Sequence, residues 1–154
     1  MKLVKMLKSA HAIEIGAINA YSGHFRSLPF GSEERRMIKR MRTEEKVHKL
    51  ALEKMMNQYQ ESSNRFLDFI LFLIGQSIAA GCFFMGYRAA MWGAKIMEIM
   101  GSDIYRKLST EATKCGVIQM AKDLWTMNEQ EQAHEIYLKS CLDNFKKRKK
   151  SVPA

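Results

Sequence analysis

From Lys8 to Leu28 apolar residues return at helical spacing, at Ile13, Ala17, Ala20 and Tyr21, and Pro29 with Gly31 closes the run. This pattern predicts a first helix. Ser32 ahead of Glu33 and Glu34 is an N-terminal signal, so a second helix is expected from Glu33 to about Gln60. It would carry Ile38, Met41, Glu45, His48, Leu52 and Met55 on one face. Ser62-Ser63-Asn64 breaks it, and Phe66 to Met85 follows as a strongly apolar stretch holding only Asp68, Gln76 and a few small residues against membrane solvation. A third helix is expected from Arg88 to about Tyr105 or beyond, and a fourth from about Thr113 to Phe145.

Composition agrees with an all-α chain. Only Pro29 and Pro153 interrupt it, β-branched runs are scarce, and with 47% apolar residues in 154 it can bury one core unaided. The three cysteines, Cys82, Cys115 and Cys141, are odd in number and form no CxxC pair, which suits a reducing compartment; they are expected to be small core residues. Met1 to Leu7 alternates lysine with apolar residues and lacks the apolar core and cleavage site of a secretory signal. Of the net charge of +9, five charges fall in Lys146, Lys147, Arg148, Lys149 and Lys150, and nine less five leaves about +4 for the body. Residues 1–145 are therefore expected to form the bundle and 146–154 a basic tail. Such a tail can serve solubility or anionic lipid, and without interleaved aromatic residues nucleic acid is set aside.

Two parts of the chain repeat one another. Glu14 is followed by Tyr21 at seven residues, and Glu98 by Tyr105 at the same distance. Each half then has an ExxH motif: Glu45 to His48 begins 31 residues after Glu14, and Glu131 to His134 begins 33 residues after Glu98. The halves are offset by 84 residues at the lone glutamates and 86 at the motifs, which reads as a duplicated helical hairpin. Residues i and i+3 project from one helix face, so each ExxH offers a carboxylate and an imidazole to one point, and a glutamate on the neighbouring helix adds another ligand. An isolated ExxH in a helix rich in lysine and glutamate is ordinarily a solvated face. Two copies at matched spacing, using two of only four histidines, point instead to a dimetal carboxylate site built from Glu14, Glu45, His48, Glu98, Glu131 and His134. Two divalent cations would nearly neutralise four buried carboxylates that otherwise repel one another. Tyr21 and Tyr105, two turns beyond a ligand, read either as hydrogen-bond donors to the ligands or as core aromatics. His11, one turn before Glu14, is expected to orient it, and His24 to lie near a helix end.

With such a site the fold is expected to be a ferritin-like four-helix bundle, in which the link between helices two and three must run back along the bundle. The stretch from Phe66 has about the length that spans a bilayer. As a crossover helix of about 18 residues it would be about 27 Å long, packing one side on the bundle and leaving the other to a membrane surface or an oligomer partner. Peripheral attachment is the expectation, with a true span as the alternative.

At these residues the chain resembles the demethoxyubiquinone hydroxylase family, ferritin-like diiron monooxygenases of ubiquinone biosynthesis. The resemblance runs from about Ser9 to Leu142. It is carried by His11-Ala12-Ile13-Glu14-Ile15-Gly16-Ala17 with Tyr21, by Met41 to Leu50 around the first ExxH, and by Gly86, Ala90-Met91 and Glu98. Ile13 stands where the family usually has glycine, the fourth motif has one histidine where the family has a pair, and no proline precedes the apolar stretch. Longer members carry a further apolar helix after the fourth, so membrane contact here would rest on the crossover helix and the basic tail.

The resemblance implies two iron ions held by the six residues above, with Glu45 and Glu98 bridging them. It implies O2 as co-substrate, a lipid-tailed quinone as substrate, and an external reductant such as NADH, since the chain has no Gly-rich dinucleotide motif. It also implies a place on the cytoplasmic face of a bacterial inner membrane or the matrix side of a mitochondrial one, and a homo-oligomer or accessory protein. A ferroxidase or a rubrerythrin-like peroxide scavenger is the alternative from another class, although the cysteine-rich iron module of a rubrerythrin is absent. A non-enzymatic bundle would require the repeated ligand pattern to be accidental.

Overall fold

The computed structural model describes residues 1–150, with side chains through Lys147; the last four residues of the expected tail lie outside the described residues. The described chain is all helix: α1 Lys2–Ser27, α2 Glu33–Asn57, α3 Arg65–Phe84, α4 Gly86–Lys114 and α5 Ile118–Lys150. As expected, Ser32 caps α2 by accepting from the Arg35 N–H at 3.1 Å. Asn64 does the same for α3, accepting from the Leu67 N–H at 3.2 Å.

Three helix ends differ from the sequence pattern. α1 begins at Lys2, because Leu3, Val4 and Leu7 are buried and extend the apolar face beyond Lys8. α4 runs on beyond Tyr105, as the pattern allowed, and takes in Thr113, where the next helix was expected to begin; the break falls at Cys115-Gly116, where Gly116 takes φ +74 and Val117 N–H returns to the Ala112 carbonyl at 3.0 Å. α5 continues past Phe145 into the lysine cluster, since Lys and Arg are good helix formers and favourable near a C-terminus. Cys82 and Cys141 are buried as expected, but Cys115 is exposed because it caps α4 at this turn.

α1 pairs with α2 and α4 with α5, and the two hairpins form the bundle. Its apolar core comes in two halves. One joins Leu3 and Leu7 of α1, Leu52 and Met56 of α2, Leu108 of α4 and Leu124 of α5. The other joins Leu28, Ile38, Met41, Met91 and Leu138. Between the halves, every bundle helix contributes a buried acidic residue: Glu14, Glu45, Glu98 and Glu131.

α3 is the crossover. It packs along α1 and far less on α4, and among its residues only Gly75, Ala79 and Cys82 are buried. The approach is close: a Cβ on Gly75 would run into the Gly16 carbonyl and lie 2.9 Å from the Asn19 Cβ, and one on Gly23 would run into the Ala79 backbone. Small residues thus dock α3 while Phe66, Phe69, Phe72, Leu73, Ile74, Phe83 and Phe84 stay exposed. By length and composition α3 is the one described helix able to cross a membrane.

Candidate metal centre

Glu14 on α1, Glu45 and His48 on α2, Glu98 on α4, and Glu131 and His134 on α5 converge in the layer between the two core halves, all six buried. Each ExxH turns both of its side chains inward because i and i+3 share a face, and the antiparallel partner helix supplies the lone glutamate at the same height. Ligand-type atoms of Glu14, Glu45, His48 and Glu131 lie within 4.8 Å of one another, and so do those of Glu45, Glu98, Glu131 and His134. Glu45 and Glu131 belong to both groups. Glu98, which the resemblance pairs with Glu45 as a bridge, belongs to the second group.

Both histidines turn Nδ1 into the layer. His48 Nδ1 lies 3.2 Å from Glu45 Oε2 and 3.1 Å from Glu131 Oε1, and His134 Nδ1 lies 3.0 Å from Glu98 Oε2. The tyrosines are core aromatics and hydrogen-bond donors at once, and they cross between halves. Tyr21 donates to Glu98 Oε1 and Tyr105 donates to Glu14 Oε1, so neither serves the glutamate of its own helix. Burial, with the neighbouring carboxylates, pushes both phenols well above their usual range and keeps them protonated donors.

Burial also drives the Glu14 and Glu131 carboxyls well above the ordinary carboxylate value, and Glu45 beside both adds to it. Glu45 goes the other way: burial opposes its charge, but hydrogen bonds with His48 and Glu14 and the two nearby histidines hold it low. Burial favours neutral imidazoles, yet the bonded carboxylates win, raising His48 to about 9 through Glu45 and His134 to about 8 through Glu98. The cluster therefore holds protons tightly in a place where cations could stand instead.

A pair of divalent cations fits this arrangement. Glu14 Oε2 and Glu45 Oε1 are buried without a hydrogen-bond partner, Glu131 Oε1 has only the His48 Nδ1 ion-pair contact, and a buried orphan costs about 1–3 kcal/mol unless something satisfies it. Four carboxylates and two imidazoles, with two of the carboxylates shared, match the donor number and hardness that such cations take.

Other residues came out differently from the sequence pattern. His11 does not orient Glu14; its Nδ1 lies 3.0 Å from Asp68 Oδ1 on α3 and its Nε2 3.1 Å from Glu53 Oε1 on α2, fastening the start of the crossover to the first hairpin. His24 lies in the last turn of α1 as expected, buried, with its pKa lowered to about 4 by desolvation. It lines a narrow cavity with Tyr21, Cys82, Ala90, Ala94 and Met97, between α1, α3 and α4.

Three contributors escaped the sequence reading. Glu44 Oε2 lies 2.5 Å from His134 Nε2, and Gln130 Oε1 lies 2.7 Å from His48 Nε2. Their signal was an acceptor immediately before each motif glutamate. Gly101, one turn beyond Glu98, leaves room for the Glu131 carboxylate, whose Oε2 would stand 2.5 Å from a Cβ there.

The family model described as "Ubiquinone biosynthesis protein COQ7" matches residues 1–134. No curated protein and no solved structure matches the chain. The matched residues take in α1 to α4 and end on His134, so all six convergent side chains lie within them. The chain belongs to the COQ7 family of ubiquinone biosynthesis proteins, with the ferritin-like helical fold of that family.

Proposed function

We propose that this protein is a diiron monooxygenase that hydroxylates the ring of a lipid-tailed, demethoxyubiquinone-type quinone at a membrane surface. Glu14 and His48 would hold one iron, Glu98 and His134 the other, and Glu45 and Glu131 both. Bound there in the reduced state, the pair would supply the activation of O2. In the balanced reaction one oxygen atom enters a ring C–H bond and the other leaves as water, with two electrons and two protons from an external donor of the nicotinamide class.

The observation that carries this reading is the buried layer of four glutamates and two histidines, with an apolar cavity against the tyrosine that donates to one of those glutamates. Tyr21, which donates to Glu98, is a wall of the narrow cavity whose other walls are Ala90, Ala94, Cys82 and Met97. That cavity shares Met85 and Ala89 with a wider open cleft bordered by Arg88, Trp92 and Lys146. The cleft lies beside the exposed Phe83 and Phe84 of α3. An isoprenoid tail could lie along the open cleft, and the ring would reach Tyr21 only once flexible walls such as Met85 and Met97 moved aside, because the narrow cavity has room for no more than about a water or two. Basic side chains with a tryptophan at the mouth suit an anionic lipid interface. Within the layer, Tyr21 and Tyr105 would keep Glu98 and Glu14 oriented, and the two core halves would keep bulk water from the site.

The test is mass spectrometry of quinones from cells with and without the protein. A quinone short of one ring oxygen should accumulate in its absence, and be cleared by the intact chain but not by Glu131→Ala. An unchanged quinone profile, with metal still bound, would refute the hydroxylase reading and point to iron or peroxide chemistry.

A further inference from the structure

The two halves of the site are built from the same residue types, although His48 Nδ1 meets Glu45 and Glu131 whereas His134 Nδ1 meets Glu98. Each candidate metal position is bordered by one histidine through Nδ1, by the shared Glu45 and Glu131, and by one lone glutamate that accepts from a tyrosine. They differ also in the charge of what stands behind the histidine. His134 Nε2 faces the Glu44 carboxylate at 2.5 Å, whereas His48 Nε2 faces the Gln130 amide oxygen at 2.7 Å. With a cation on Nδ1, Nε2 would be the nitrogen that carries the proton and donates outward. Glu44 is itself held in place: Arg40 Nε donates to its other oxygen, Oε1, at 2.8 Å.

A carboxylate accepting the Nε2 proton draws it away from the ring and makes Nδ1 a stronger donor to a cation; a neutral amide does this far less. We infer that the two positions are inequivalent, and that the one bordered by His134 and Glu98 binds a divalent cation more tightly than the one bordered by His48 and Glu14, because Glu44 backs the first histidine and Gln130 the second. This rests on the dimetal reading above. Glu44 and Gln130 act as positioning residues through the histidines and touch no substrate.

The difference is expected to be about tenfold, at the lower end of what outer partners of a metal-binding histidine contribute, because Glu44 is partly solvated and shared with Arg40. The experiment is anaerobic titration of the purified full chain with Co(II), followed by calorimetry and by the visible absorption of the bound ion. Two separated steps are expected for the natural chain. Glu44→Gln should weaken the tighter step until the two merge, and Gln130→Glu should tighten the weaker one, a gain that structural damage would not produce. The double exchange, Glu44→Gln with Gln130→Glu, should restore two separated steps. Two equal sites in the natural chain, or a tighter step that Glu44→Gln leaves in place, would overturn the inference while the dimetal reading stood. Failure of the natural chain to bind two ions would overturn both.

Discussion

Gly101 contributes only the space left by its missing side chain, yet that space holds a carboxylate common to both halves of the site. A methyl group there meets Glu131 Oε2 at 2.5 Å and Cδ at 3.0 Å, so Gly101→Ala must displace one of the two glutamates that border both histidine positions. The expected result is a loss of metal affinity of about tenfold or more, without loss of helix, since alanine is the better helix former. Metal titration alongside circular dichroism checks it, and unchanged affinity would count against a shared Glu131. Protons bear on the same residues. His48 and His134 are raised from 6.5 to about 9 and about 8, and a group raised in the folded chain adds stability that is lost as pH climbs through the folded value. Glu14 and Glu131, also raised, act in the same direction from their ordinary 4.5 upward, while the lowered Glu45 acts oppositely and only in acid. With chelator present, the unfolding temperature is therefore expected to fall between pH 6.5 and about 9, and Mn(II) should flatten the decline by replacing the protons. A rise over that range in the chelated protein would contradict the assignment. The six convergent side chains were legible in the sequence because their chemistry repeats at a helical interval. Gly101, Glu44 and Gln130 were not, because each acts on a residue of a different helix: the acceptor ahead of each motif glutamate was visible in the sequence, but which histidine it would meet was not.

At the scale of elements, the two hairpins follow from periodicity, while the ends of the helices follow from single residues. Leu3 and Leu7 continue the buried face of α1 by one i to i+4 step, a signal too short to separate from the lysines around it. Gly116, with a left-handed backbone, sets the boundary between α4 and α5 against an otherwise unbroken helical composition. The crossover is the element whose packing the sequence left most open, since α3 is apolar nearly all round. Glycines decide the matter: Gly16 and Gly23 of α1 face Gly75 and Ala79 of α3, and the Gln76 amide donates to Asn19 Oδ1 at 2.9 Å. Gly75→Val would force the two backbones apart and is expected to cost about 2 kcal/mol, in the range of overpacking a tight contact. Denaturant unfolding measures this, and a neutral result would mean that the α1 and α3 contact is looser than these distances require.

For the whole molecule, the consequence of docking α3 by its small residues is that one side of the protein is lined with large apolar side chains. Phe83 is 57% exposed and Phe84 89%, and both stand at the end of α3 nearest the cleft bordered by Arg88, Trp92 and Lys146. A true span would require α3 to leave α1, giving up the glycine contacts, the Gln76 to Asn19 bond and the His11 to Asp68 pair. A helix lying on the surface keeps all of them and buries the same phenylalanines in lipid, with basic residues beside anionic headgroups. The protein should therefore float with vesicles containing anionic lipid and be released from them by alkaline carbonate. Phe83→Asp with Phe84→Asp removes two exposed side chains that belong to neither half of the core, so the fold should be kept. Full burial of a phenylalanine is worth about 1.5–3 kcal/mol, and even half of that at each position makes the vesicle affinity fall by on the order of tenfold or more. Flotation undiminished by this double substitution would separate the apolar face of α3 from membrane binding, and resistance to carbonate would establish the span in its place.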